Sequence, residues 1–154
     1  MHKLDLKNYL FMIKDIEYFI IKLETPYVPK DFPKNYAIGK DIDLIVSSND
    51  FEQIKEITKD FSKEYSEYNI ILYDSDSDCF RLRFEDNNTL HYQIDIRITM
   101  EGITNEHIQR CLENRIMQSN YYILPPNLER VFRELEYKTY NNSKPWHKDW
   151  LDNN

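Results

Sequence analysis

The chain has two glycines among its 154 residues. That excludes every glycine-rich phosphate loop, since both the dinucleotide fingerprint and the P-loop need several glycines within a few positions. It has two cysteines, Cys79 and Cys111, and no Cys-x-x-Cys spacing. A thiolate metal site is excluded, and two reduced thiols fit better than a disulfide. No long apolar run occurs, so neither a signal peptide nor a membrane-spanning helix is expected and the protein reads as cytoplasmic. Basic residues are in deficit: 20 Lys and Arg against 27 Asp and Glu, a net charge of -7 and a pI near 5.1. Nucleic acid binding needs a basic footprint, so it is disfavoured as a partner. The four histidines, His2, His91, His107 and His147, show no ligand spacing. His91 alone shares strand parity with an acidic residue. Repeats and low-complexity segments are absent.

What is present suffices for a folded core. Apolar residues make up 41% of the chain and aromatics 14%, with twelve tyrosines and eight phenylalanines. The length suits one domain over 1–154. The patterning divides it into a core over 1–100 and a helical C-terminal extension over 101–154. Helical spacing runs from Leu4 to Ile16, and again after Asn49, which reads as a cap for the stripe Phe51, Ile54, Ile57, Phe61 and Tyr65. Strands are expected at Tyr18–Leu23, Asp41–Ser47, Asn69–Tyr73, Cys79–Phe84, Leu90–Thr99 and Tyr121–Leu124. Further helices are expected at Thr104–Met117 and Asn127–Tyr140. Their Arg and Glu residues suggest surface pairing. The polar turn Asp74–Asp78 lacks the glycine and distal glutamate of a calcium loop and reads as solvated. Trp146 and Trp150 predict that the tail docks. The fold class is therefore α+β, a mixed β-sheet with helices mainly on one face plus a C-terminal helical cap.

The chemistry concentrates in Gly39-Lys40-Asp41-Ile42-Asp43-Leu44-Ile45-Val46. Alternate residues of a strand share a face, so Asp41 and Asp43 project together and Ile42, Leu44 and Val46 oppose them. Two adjacent carboxylates repel unless a positive charge lies between them. A divalent cation with hard oxygen ligands fits, Mg²⁺ or Mn²⁺. Such aspartates also occur on the solvated face of an ordinary strand, but aspartate is a poor strand former. The segment His91–Ile98 alternates in the same way, with Asp95 and Arg97 opposite Ile94, Ile96 and Ile98. If the two strands are neighbours, Asp95 becomes a third carboxylate, as metal-assisted phosphoryl or nucleotidyl transfer requires.

These residues resemble the nucleotidyltransferase superfamily, the polymerase-β-like fold. Its signature is a strand carrying acidic-x-acidic between apolar residues, then a second strand with one acidic residue. Asp41-Ile42-Asp43-Leu44 is similar to the first part and Ile94-Asp95-Ile96 to the second, over roughly residues 18 to 98. The resemblance implies Asp41, Asp43 and Asp95 as catalytic and metal-holding residues, and a nucleoside triphosphate as donor. It also implies a small hydroxyl acceptor such as a phosphorylated sugar or polyol, or a protein partner modified by AMP. The family's Gly-Ser or Gly-Gly after the preceding strand is absent here. Gly39 comes too late, so Thr25 would supply the hydroxyl and Lys22 or Lys40 the charge, with Arg97 a further phosphate contact. Arg81 and Arg83 share its face. The alternative, favoured by the missing motif, is a non-catalytic binding or interaction module, antitoxin-like, on the same fold.

Between the first strand and Asp41 lies Thr25–Tyr36, with Pro26, Pro29 and Pro33. These prolines exclude regular structure and predict an ordered loop over the site, with Lys30, Lys34 or Lys40 offering positive charge. The pattern makes one geometric prediction. The carboxylates of Asp41, Asp43 and Asp95 should converge with oxygens roughly 3–5 Å apart; Asp95 on the opposite face of the sheet would sink the triad.

Overall fold

A computed structural model describes residues 3–26, 28–141 and 143–154; His2 lies outside them. Apolar alternation builds a seven-stranded mixed sheet with the order β3-β4-β5-β2-β1-β7-β6. The strands are β1 (Tyr18–Ile21), β2 (Lys40–Val46), β3 (Asn69–Tyr73), β4 (Cys79–Asp86), β5 (Thr89–Arg97), β6 (Ile116–Gln118) and β7 (Tyr121–Ile123). β2 runs antiparallel to β1 and parallel to β5. The helices are α1 (Leu6–Met12), α2 (Phe51–Ser62), α3 (Asn105–Asn114), α4 (Pro126–Thr139) and α5 (Pro145–Asn153). The α+β mixed sheet read from the sequence is the fold observed.

The two faces of the sheet bury different cores. Ile20, Ile42, Leu44, Val46, Leu82, Ile94 and Ile96 pack against Leu6, Tyr9 and Leu10 of α1 and Phe51, Ile54 and Phe61 of α2. On the other face Phe19, Ile21 and Ile45 meet Ile108, Cys111 and Leu112 of α3 and Leu128 and Phe132 of α4. The helices of the first hundred residues thus lie on one face, and the C-terminal helices cap the other. β1 is buried at all four positions because both faces are covered there, which accounts for its unbroken apolar run. The cap covers Ile45 but stops short of Asp41 and Asp43, which stay exposed and half-buried. That uncovered strip is the site.

Several boundaries differ from the sequence pattern, each for a local reason. α1 begins where Asp5 accepts from the Asn8 N–H at 3.0 Å, and it ends early so that the chain can turn into β1. Asp50, rather than Asn49, starts α2, and its carboxylate accepts from the Glu17 N–H at 2.8 Å. α3 stops at Asn114 because Arg115 is extended, and Ile116–Gln118 pairs with β7 instead. The hairpin between β4 and β5 turns at Asn87 and Asn88, both with positive φ, a conformation asparagine tolerates better than most residues. The tail docks as α5, with His147 and Trp150 buried. Among the described residues no helix is long and apolar enough to cross a membrane.

Phe132 fastens α4 to the sheet, its ring 6.0 Å from that of Phe19. Phe132→Ala should cost about 3–5 kcal/mol, whereas Phe11→Ala, at a position 61% exposed, should stay within about 0.5 kcal/mol. Urea unfolding of the two variants checks the assignment of the second core.

Candidate functional site

The parallel pairing of β2 and β5 sets Asp43 directly opposite Asp95 and Asp41 opposite Gln93. β4, antiparallel to β5, sets Arg81 opposite Asp95. One carboxylate oxygen from each of Asp41, Asp43 and Asp95 lies within 4.8 Å of the others. Asp95 is on the same face as the pair, as the strand parity predicts. The three border a cavity of about 230 Å³ that is also lined by Lys22, Arg81, Gln93, Arg97, Glu136, Lys144 and His147.

Each buried acid has a cation or donor close by. Arg81 Nε lies 2.5 Å from Asp95 Oδ1 and Nη2 lies 3.4 Å from Oδ2, where the Gln93 amide also donates at 3.0 Å. The Lys22 ammonium lies 3.0 Å from Asp43 Oδ2 and 3.3 Å from Glu136 Oε2. Burial pushes the Asp43 carboxyl upward, Lys22 pulls it down, and the charges of Asp41 and Asp95 add to the rise, which wins. For Lys22, burial opposes the charge, but Asp43 and Glu136 more than offset it and hold the ammonium above the ordinary lysine value. The donor set suits a hard divalent cation: three carboxylates on rigid strands, one exposed and one half-buried, each carboxylate keeping at least one oxygen lone pair beyond those used by Lys22, Arg81 and Gln93.

Of the residues singled out in the sequence, Asp41, Asp43, Asp95, Lys22, Arg81 and Arg97 meet at this cavity. Lys40 and Thr25 do not line it. Lys40 shares strand parity with Ile42, on the face away from Asp41. The Thr25 hydroxyl is buried with no hydrogen-bond partner among the described residues, beside a separate recess. The loop between β1 and β2 does reach the site: Val28 and Tyr36 line the cavity, and the Tyr36 hydroxyl donates to the Asp41 carbonyl. Its lysines do not. Lys30 and Lys34 are exposed and outside the cavity. His91 meets the rings of Tyr68 and Tyr92 edge to face instead of entering the site. The Asp74–Asp78 turn is tied to the surface, Asp74 by Lys55 at 3.0 Å and Lys59 at 3.3 Å. Cys79 and Cys111 are both free thiols.

Glu136, Lys144 and His147 were not predicted as site residues. They reach the cavity from α4 and the start of α5, and no spacing relates them to the aspartates. Behind them lies an internal network. Arg133 and Glu129, which look in the sequence like a surface helix pair, are both buried and 3.0 Å apart, because α4 is sandwiched between the sheet and α5. Arg133 also donates to the Glu24 carbonyl and to His147 Nδ1, at 3.0 and 3.2 Å, and lies under the Trp150 ring. The Lys22 N–H donates to Glu129 at 2.7 Å. Burial pushes Glu129 up to about 7 against the pull of Arg133. Burial and then the Arg133 charge push His147 down to about 4.

These two shifts have opposite signs in stability. His147 is neutral in the fold, whereas the unfolded imidazole protonates near pH 6.5. Its contribution is whole above that value and is lost as pH falls toward 4. The raised Glu129 carboxyl works the other way: its contribution is whole below about pH 4.5 and is lost as pH rises through about 7. His147→Asn should therefore cost about 1–3 kcal/mol at pH 7, with the cost shrinking as pH is lowered toward 4.5. Urea midpoints of wild type and variant across this range measure it; a cost that grows on acidification would reverse the assignment of a neutral imidazole.

Comparison with known protein families and with curated proteins finds no match for the chain.

Proposed function

We propose that the chain is a metal-dependent nucleotidyltransferase-like enzyme. It would transfer a nucleotidyl group from a nucleoside triphosphate to a small hydroxyl acceptor. The observation that supports this reading is the convergence of Asp41, Asp43 and Asp95 within 4.8 Å at the edge of a polar cavity.

In this reading the three carboxylates hold Mg²⁺ or Mn²⁺. When bound, such an ion supplies Lewis-acid stabilisation of the charge that builds on the transferring phosphoryl group. The chain's residues supply the rest. Arg81 and Gln93 fix the Asp95 carboxylate in one orientation, so it is positioned before a substrate arrives. Arg97 lines the same cavity and makes no ion pair among the described residues, so its guanidinium is available for a phosphate. Lys22 and Lys144 add positive charge to the lining. Asp95 would accept the proton of the attacking hydroxyl. Tyr36, held to the Asp41 backbone, and Tyr140 complete the lining.

A second reading has its own support. Asp43 and Asp95 already carry internal cationic partners, and a glycine-serine turn is missing after β1. A module that binds a partner without turnover would be built in the same way. Thermal shift separates the two readings. Millimolar Mg²⁺ or Mn²⁺, with each of the four nucleoside triphosphates, should raise the melting temperature of the wild type. Asp43→Asn should leave the metal-free protein as stable or more stable, because burial and the neighbouring Asp41 and Asp95 charges disfavour the ionised carboxylate in place. The same variant should abolish the metal-induced shift. No shift in the wild type under any of these conditions would favour the module.

A further inference from the structure

Lys22 is held at both its backbone and its ammonium on the site face. Its backbone is left-handed, with φ 58°, a conformation that costs a lysine free energy and persists only where the surroundings hold it. Two residues of α4 do so. Glu129 accepts from the Lys22 N–H at 2.7 Å, and Glu136 lies 3.3 Å from its ammonium. Seven positions separate the two acids, about two helical turns, so they share one side of the helix. Glu136 is further tied by Lys144, at 2.7 Å from its other oxygen. Among the described residues the ammonium's remaining ionic contact is Asp43, at 3.0 Å.

We propose that Lys22 is a built-in counter-ion with two seats. It shares Asp43 and Glu136 while the triad holds no divalent cation. It withdraws to Glu136 alone when a divalent cation takes Asp43, and there it faces the cavity as a contact for the phosphates of a nucleoside triphosphate. The inference rests on the metal reading of the triad and extends it. Its physical basis is short-range repulsion. An ammonium 3.0 Å from a carboxylate oxygen and a divalent cation on the same group raise each other's energy steeply at this separation. The withdrawal needs little motion, because the second seat is already in contact and lysine carries its three donors on a flexible stem. Arg81 is not the mobile partner, since it grips both oxygens of Asp95 with a planar fork.

The test is calorimetric titration with Mn²⁺ alone, followed by ATP and the other three triphosphates at saturating Mn²⁺. Lys22→Met removes the ammonium and keeps most of the stem. Lys22→Gly removes it and accepts the left-handed backbone without strain, which guards against a folding defect in the first variant. Both should bind Mn²⁺ about tenfold more tightly than wild type, and both should bind the triphosphate about tenfold more weakly. Glu136→Gln should weaken Mn²⁺ binding in the wild type but not in the Lys22→Met background, as coupled residues require. Affinities for metal and nucleotide that move together, or that do not move, overturn the two-seat inference. Absence of Mn²⁺ uptake in the wild type and in both variants overturns the metal reading itself.

Discussion

Asp43 and Asp95 stand opposite each other on neighbouring parallel strands, and much of the site face answers the repulsion between them. Parallel pairing here cannot be relieved by sliding the strands. A one-residue slip would turn Ile42, Leu44 and Ile94 out of the first core and bring the acids in. The apolar face therefore holds the carboxylates together against their own field. Arg81 arrives on β4 at the register position facing Asp95, and Lys22 arrives from the end of β1 to meet Asp43. Asp41, the most exposed of the three, is left to solvent.

The C-terminal helices extend this logic outward. α4 brings two acids to Lys22, one for its backbone and one for its ammonium. Burying Glu129 requires Arg133, and burying Arg133 requires the Glu24 carbonyl, His147 and the face of Trp150. A buried ion pair of this kind contributes little net stability, because desolvation offsets the attraction, but removing one member leaves an uncompensated charge. The network therefore acts chiefly on geometry: it leaves α4 one seat on the sheet. The cap that closes one end of the cavity and the strands that carry the aspartates are one electrostatic unit.

Much of this was legible in the sequence where a short period carries the information. Asp41, Asp43 and Asp95 could be placed on one face because strand alternation has period two and the opposite positions are aliphatic. α2 and α4 were legible from their apolar stripes. What stayed hidden depends on partners distant in the chain. Ile116 and Met117 continue the pattern of α3, and only the approach of β7 makes them a strand. Glu129 and Arg133 have the spacing of a surface pair, and nothing local tells that α5 covers them. The site's positive charge was sought on Lys22, Lys40 and the loop lysines, and of these Lys22 lines the cavity. What the sequence does not mark is the left-handed turn at Lys22, because the position is not glycine.

The hydrogen bond from Lys22 to Glu129 joins residues 107 positions apart, and that separation bears on the order in which the molecule is built. During synthesis β1, β2, β4 and β5 leave the ribosome before α4 does. Domains begin to organise as they emerge, so the sheet and its three aspartates can come together with Lys22 not yet anchored from behind. Long-range closures of this sort are slow relative to hairpins. In that interval Lys22 lacks the two α4 acids that hold its backbone and its ammonium, and the ionic composition around the nascent chain becomes part of its folding environment.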